Sequence, residues 1–522
     1  MNLPLIIRAE EYNDKTAIIV PSGCANATTD TVFTYGDLLH TSSQIATGLL
    51  ENTEDLHEQR VAFLIPPGFE YVATQWGIWR AGGIAVPLCI SYPRPELEYV
   101  ITNSGASIIV AHPNFEGILR SLPPQASLAQ EQNLRFILTS ETLPHNLRRL
   151  PEVDITRRAL ILYTSGTTGK PKGVVTTHQN IQAQVTSLIA AWEWTSSERI
   201  LHILPLHHIH GIVNVLTCAL WAGAECYILS KFDAETVWRR ICEGDLTLFM
   251  AVPTIYVKLI AAWEKASSER QKTMSEGCTK MRLMVSGSAA LPVQVLDKWQ
   301  TISGHFLLER YGMTEIGMAL SNPLHGERQS GYVGKPLPHV EVRLVDGNGE
   351  LVPAGTPGEI QVKGPGVFLE YWQNPQATAK AFQDGWFCTG DTAVVENGNY
   401  RILGRMSVDI IKTGGYKVSA LEIEEVLRSH PDIQECAVVG VVDIEWGERV
   451  CAALVLQGSQ ALTLESFRSW AKERLAVYKV PTQILTVEEL PRNAMGKVTK
   501  PTVVELFAIL KHNQADQDVR PM

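Results

Sequence analysis

Arg60–Ile65, Ile84–Leu88, Ala106–Ala111 and Leu160–Tyr163 are short apolar runs bounded by glycine, proline or polar clusters, and amphipathic stretches such as Tyr71–Ala81 lie between them. Strand-length runs alternating with helical periodicity predict parallel βαβ units. From Val340 the texture changes. Val340–Gly364 alternates apolar with polar residues and places Asp-Gly and Asn-Gly at its turns, which predicts antiparallel hairpins. After Gly398–Arg405 the pattern restarts: a helix over Ala420–Ser429, strands over Glu435–Val442 and Val450–Leu456, and a helix around Leu464–Leu475 predict an α+β unit of about one hundred residues. The expected fold is α/β, with a large N-terminal domain of parallel βαβ units plus a β subdomain (residues 1–408) and a small α+β C-terminal domain (409–522). The polar tail from Lys511 is expected to fray.

Ile203–Ala224 carries no formal charge, but His207, His208, His210, Asn214 and Thr217 interrupt it, so it reads as a buried segment and not a membrane span. The 522 residues exceed what one hydrophobic core holds, ~250–300, which requires at least two structural units. A net charge of −10 argues against nucleic-acid or anionic-membrane partners, which need a positive field. The nine cysteines form no CxxC pair and are odd in number, so neither a disulfide framework nor a zinc site is indicated. Free thiols, together with an N-terminus that carries acidic residues early and lacks a charged-then-apolar leader, lead to the expectation of a cytoplasmic protein, monomer or homodimer.

The densest chemistry lies in Leu162–Val174, LYTSGTTGKPKGV. Hydroxyl residues and glycines directly after a strand let backbone N–H and side-chain O–H groups wrap an oligophosphate, while Lys170 and Lys172 add positive charge. It is not a Walker A loop, because Lys170 precedes Pro171 where that motif has serine or threonine. The run resembles the phosphate loop of the adenylate-forming superfamily, which comprises acyl-CoA synthetases, adenylation domains of peptide synthetases and firefly-type luciferases. Further matches follow in order: Ser286-Gly287-Ser288-Ala289, Tyr311-Gly312-Met313-Thr314-Glu315, Thr389-Gly390-Asp391, Gly404-Arg405 with Asp409, Gly414-Gly415-Tyr416-Lys417, and Pro491 to Lys497.

The resemblance implies small-molecule substrates: a carboxylic acid, ATP with Mg²⁺, and coenzyme A. It assigns Thr164, Ser165, Gly166, Thr167, Thr168, Gly169, Lys170 and Lys172 to the β- and γ-phosphates, Thr314 to the α-phosphate and Glu315 to the metal as a hard oxygen ligand. Ser286, Gly287, Ser288, Tyr311 and Gly312 would border the nucleotide, with Tyr311 against adenine. Asp391 would accept from the ribose hydroxyls, assisted by Arg405. Lys497 would reach a bridging oxygen during adenylation, and Gly414, Gly415 and Tyr416 would serve coenzyme A in the second half-reaction. Two half-reactions served by one small domain imply that this domain is mobile and turns at Asp409. The stretch from Arg405 to Asp409 is one residue longer than in some members.

The acid is signalled by Glu309-Arg310-Tyr311 and the following Met318–Pro323, which look most like the malonyl-CoA synthetase branch. An arginine placed where acyl chain and nucleotide meet is costly unless paired, and a short dicarboxylate supplies one carboxylate for ATP and a second for Arg310. His208 and Ser286 are further candidates for that pocket. Methylmalonate differs by one methyl, a difference of only ~1–3 kcal/mol, so both acids stay open. A zinc site at His207, His208 and His210 lacks a carboxylate at helical spacing. The competing activities are a medium-chain or aryl acyl-CoA synthetase and an adenylation enzyme loading a carrier-protein thiol; no carrier domain fits after Lys497.

Overall fold

Pairing decides what the apolar runs become. In a computed structural model of the chain, residues 3–21, 30–121, 134–141, 144, 146–164, 170–414, 416–443, 445–458, 462–493 and 496–518 are described. Arg60–Leu64 pairs in parallel with both Ile84–Pro87 and Ile108–Ala111, as the βαβ pattern predicts. These strands belong to a seven-stranded sheet ordered Glu370–Tyr371, Lys172–Thr177, Arg158–Thr164, Ile84–Pro87, Arg60–Leu64, Ile108–Ala111, Arg135–Leu138. A second sheet of nine strands has Leu308–Met313, Leu283–Ser286, Leu248–Ala251 and Arg199–His202 as parallel neighbours. Parallel strands deliver their C-terminal ends to one edge of a sheet, where α/β proteins build their sites. Ser286 and the Arg310–Met313 segment lie at such ends.

The helix Phe69–Arg80 departs from the amphipathic expectation for Tyr71–Ala81, because every residue from Tyr71 to Trp79 is buried. It packs so closely on the helix Tyr35–Leu50 that a Cβ on Gly77 would meet Ile45 Cγ2 at 2.6 Å. On its other side Trp79 Nε1 donates to the Ala159 carbonyl at 2.7 Å. That bond fixes the helix to the strand Arg158–Thr164, which ends where the hydroxyl-rich run of the sequence begins. Trp76 and Trp79 are both buried in this core, and truncating either costs ~3–5 kcal/mol.

Ile203–Ala224 is mostly buried, His207 and His208 lie in a turn, and His210–Thr217 forms a π-helix. Gly211 explains the wide turn: a Cβ there would lie 2.3 Å from the Pro205 carbonyl oxygen. Among the described residues no helix is long and apolar enough to cross a membrane.

The chain divides into two compact units, Met1–Val342 with Val362–Phe387, and Arg343–Gln361 with Cys388–Met522. In the second unit the hairpin language after Val340 gives a tight turn, with Asp346 N–H donating to the Glu350 carbonyl at 2.8 Å. Its α+β part pairs Ile433–Asp443 antiparallel with Gly447–Leu456, and Ala420–Leu427 and Leu464–Lys472 supply the two expected helices. The helix that starts at Lys500 continues to Asp518, into the polar tail.

Candidate active site

The candidate residues fall into two groups, one in each unit. In the large unit the register Ser286 to Glu309 sets Gly287 beside Arg310. The guanidinium occupies the volume that a side chain at 287 would need, since a Cβ there would lie 2.4 Å from Arg310 Cζ. Arg310 is 3 % exposed. Its Nη2 reaches Ser288 Oγ only at 3.5 Å, and its Nε has no acceptor among the described residues. No carboxylate there pairs with it, and burial pulls its pKa down from the ordinary guanidinium value to about 9. Ser286, fully buried at the end of its strand, likewise has a hydroxyl with no partner among the described residues.

Ser288 completes this cluster in a left-handed conformation, φ +68°, which is costly for serine and turns its hydroxyl to His210 Nδ1 at 3.1 Å. Through this contact His210 reaches the cluster. His208 lies beside His207, with ring centroids 4.0 Å apart and the rings tilted by 52°. Burial holds His207 and His202 at a pKa of about 4, so neither is a cation at neutral pH. Among the described residues no group of His, Cys, Asp or Glu is arranged to hold a metal ion through three or more ligands.

The strand carrying Arg310 runs on to a tight turn at Thr314–Glu315 before returning as Gly317–Ser321. Gly312 lies at a bulge in this ladder, where a Cβ would meet the Gly317 carbonyl oxygen at 2.0 Å. Tyr311 pairs with Leu320 in the same ladder. Thr314 is half-buried, and Glu315 is 6 % exposed with its carboxylate accepting from the Tyr371 hydroxyl at 2.9 Å.

Ser165, Gly166, Thr167, Thr168 and Gly169 lie outside the described residues, but the strands on either side of them are described. Thr164 stands opposite Lys172 in an antiparallel ladder. Tyr99 donates to the Pro171 carbonyl at 2.8 Å. Both lysines rest on aromatic rings, Lys170 Nζ 5.4 Å from the Tyr99 centroid and Lys172 Nζ 5.0 Å from that of Tyr371.

In the second unit Asp391 and Arg405 face each other across a hairpin and form a two-pronged ion pair at 2.8 and 3.3 Å. Asp409 accepts from the Arg405 backbone N–H at 2.9 Å and pairs with Lys500 at 2.6 Å, a lysine that also meets Glu424 at 2.8 Å. Lys497 is exposed on a turn pinned by Asn493, whose Oδ1 accepts from the Lys497 N–H at 3.0 Å. Gly414 adopts φ +53° against the Trp446 ring, and Gly415 lies outside the described residues. Tyr416 is exposed and stacks on Tyr478, centroids 4.4 Å apart at 11°.

Sequence reasoning did not find His210 as a partner of Ser288, nor Tyr371, Tyr478, Trp446 or Lys500. Only the exposed aromatics of the small unit carry a local signal, and it becomes meaningful only once Tyr478 is seen against Tyr416.

The hydroxyl- and glycine-rich run of the sequence, the buried carboxylate of Glu315 and the exposed Lys497 are features that the resemblance to adenylate-forming enzymes calls for. The chain belongs to the AMP-binding enzyme family: the family model matches residues 6–372, and that of the AMP-binding enzyme C-terminal domain matches 422–497. It is similar to a mitochondrial malonate–CoA ligase of Xenopus laevis, 45% identical over 97% of this chain and 92% of the relative. It also resembles a malonate–CoA ligase of Arabidopsis thaliana, 43% identical over 86% of this chain and 78% of the relative. Among solved structures, ATP-bound MatB from Rhodopseudomonas palustris superposes with a TM-score of 0.87 at 32% identity, covering 97% of this chain and 99% of that one.

Proposed function

We propose that the chain ligates malonate to coenzyme A through a malonyl-adenylate, consuming ATP and releasing AMP and pyrophosphate. The observation that carries the choice of acid is Arg310: a buried guanidinium against Gly287 with no carboxylate partner among the described residues. Holding such a charge unpaired is costly, and a ligand carboxylate offsets that cost. A monocarboxylate spends its only carboxylate on ATP and leaves Arg310 unpaired, whereas malonate has a second one to give. The relatives named malonate–CoA ligases support the same acid.

In the first half-reaction one malonate carboxylate oxygen bonds to the α-phosphorus as the bond to pyrophosphate breaks. Charge that builds on the phosphates meets donors: the run from Thr164 to Lys172 at the β- and γ-phosphates, Thr314 at the α-phosphate and Lys497 at the bridging oxygen. Glu315 suits Mg²⁺, being a buried hard-oxygen donor already oriented by Tyr371. Mg²⁺ held there supplies charge neutralisation of the triphosphate. Tyr311 and Gly312 border adenine, and Asp391, aligned by Arg405, accepts from the ribose hydroxyls.

In the second half-reaction the coenzyme A thiol loses its proton, sulfur bonds to the malonyl carbonyl carbon and AMP departs with the oxygen that malonate contributed. Gly414, Gly415 and Tyr416 serve coenzyme A in this step, and Asp409 is the turning point between a functional domain of 1–408 and one of 409–522. Ser286, Ser288 and His208 join Arg310 around the acid. The free described cysteines support a reducing compartment such as the cytoplasm, although the Xenopus laevis relative is named mitochondrial.

Purified protein supplied with ATP and Mg²⁺ is expected to form AMP and pyrophosphate only when both malonate and coenzyme A are present. Equal or better turnover with acetate, butyrate or benzoate would remove malonate as the substrate.

A further inference from the structure

Tyr371 stands between a cation and a carboxylate in the large unit. Its hydroxyl donates to Glu315 Oε1 at 2.9 Å, and its ring faces the Lys172 ammonium at 5.0 Å. The residue is 8 % exposed and sits on a two-residue strand, Glu370–Tyr371, laid along Lys172–Thr177 with Tyr371 opposite Val174. That short strand is held along its length. Leu369 N–H donates to Val175 O at 2.9 Å, Trp372 N–H to Gly173 O at 2.8 Å, and Glu370 pairs with Arg158 at 2.8 Å. The same segment grips the other loop, because Phe368 N–H donates to the Glu315 carbonyl at 2.7 Å. Tyr371 thus joins the strand Lys172–Thr177 to the turn at Thr314–Glu315.

We propose that Tyr371 is a positioning residue that orients Glu315 for a divalent cation while presenting Lys172 to the nucleotide. This rests on the assignment of Glu315 and Lys172 to metal and phosphate. An ammonium and a carboxylate near each other on flexible side chains tend to pair and cancel. A tyrosine between them gives each a separate partner: the ring face takes the cation and the O–H takes one carboxylate oxygen. Carboxylates that bind metal are themselves hydrogen-bonded, and removing such a partner typically costs ~10–100-fold in metal affinity.

Tyr371→Phe separates the two roles, since it deletes the hydroxyl and keeps the ring. Full-length wild type and variant are titrated with Mn²⁺ and ATP, with free Mn²⁺ read by electron paramagnetic resonance, and with ATP in EDTA, read by calorimetry. The expected result for Tyr371→Phe is Mn²⁺·ATP binding weakened ~10-fold or more, with metal-free ATP binding changed by less than about 2-fold. Tyr371→Leu, which removes the ring as well, is expected to weaken metal-free ATP binding too, with each variant's own melting temperature taken as its folding control. Wild-type Mn²⁺·ATP affinity in Tyr371→Phe, or equal losses with and without metal, would overturn the proposal. If wild type itself bound no nucleotide, the proposed reaction would fall, a result distinct from a silent Tyr371→Phe variant.

Discussion

Replacing Arg310 with methionine keeps most of the side-chain volume and removes the charge. Burial holds its pKa at about 9, well below the ordinary guanidinium value, so the unliganded protein carries this charge at a cost in lost hydration. Removing an unpaired buried charge should therefore leave the unliganded variant at least as stable as wild type, and by analogy with buried-charge replacements ~1–4 kcal/mol more stable. Malonate binding moves in the opposite direction. Truncating one member of a buried charge pair costs ~2–5 kcal/mol, or about 30- to 5,000-fold in kcat/KM for malonate. Acetate, with no second carboxylate, should change by only a few-fold. Thermal melts with and without malonate, together with steady-state kinetics on both acids, decide the matter. A variant that melts well below wild type and loses malonate and acetate turnover equally would make Arg310 a structural residue and refute the reasoning.

The same guanidinium predicts a pH dependence. Malonate needs it protonated, so kcat/KM for malonate should decline as pH rises past about 9 while that for acetate does not, and parallel profiles would contradict this. Lys497→Ala should reduce adenylation, followed by pyrophosphate exchange, far more than thioester formation from supplied malonyl-adenylate; equal losses would remove its special role in the first half-reaction. Tyr478→Ala should raise KM for coenzyme A several-fold without changing that for ATP, because base stacking on an aromatic platform is worth ~1–3 kcal/mol and Tyr478 is partly exposed beside Tyr416. Burial lowers the pKa of His178 to about 3 and of His202 and His207 to about 4, against 6.5 when unfolded. The folded state binds fewer protons, so stability is complete above pH 6.5 and should fall as pH drops towards 4, as melts across that range will test.

Local signals in the sequence carried most of the architecture. The apolar run at 84–88 became the strand Ile84–Pro87, and the run at 60–65 became Arg60–Leu64, because a short run between turn signals needs only a neighbouring strand to be satisfied. What escaped was set by contacts across long stretches of chain. Nothing near Tyr71 announces that its helix is enclosed on all sides, which follows from Gly77 against Ile45 and Trp79 against Ala159. The π-helix at His210–Thr217 brings Gly211 against Pro205, and its first residue, His210, meets Ser288. Arg310 was legible as a charge in need of a partner, whereas its position against Gly287 appears only from the strand register. Tyr371 lies far in sequence from both Lys172 and Glu315, so its double contact has no local signature.

Malonate labelled with oxygen-18 in its carboxylates tests the central claim most directly. The wild-type enzyme is given labelled malonate, ATP, Mg²⁺ and coenzyme A, and the AMP and pyrophosphate are examined by mass spectrometry. Attack of a malonate oxygen on the α-phosphorus predicts a single heavy oxygen in AMP and none in pyrophosphate. Unlabelled AMP formed alongside malonyl-CoA, or label in a phosphate released from the γ end of ATP, would contradict an adenylate intermediate.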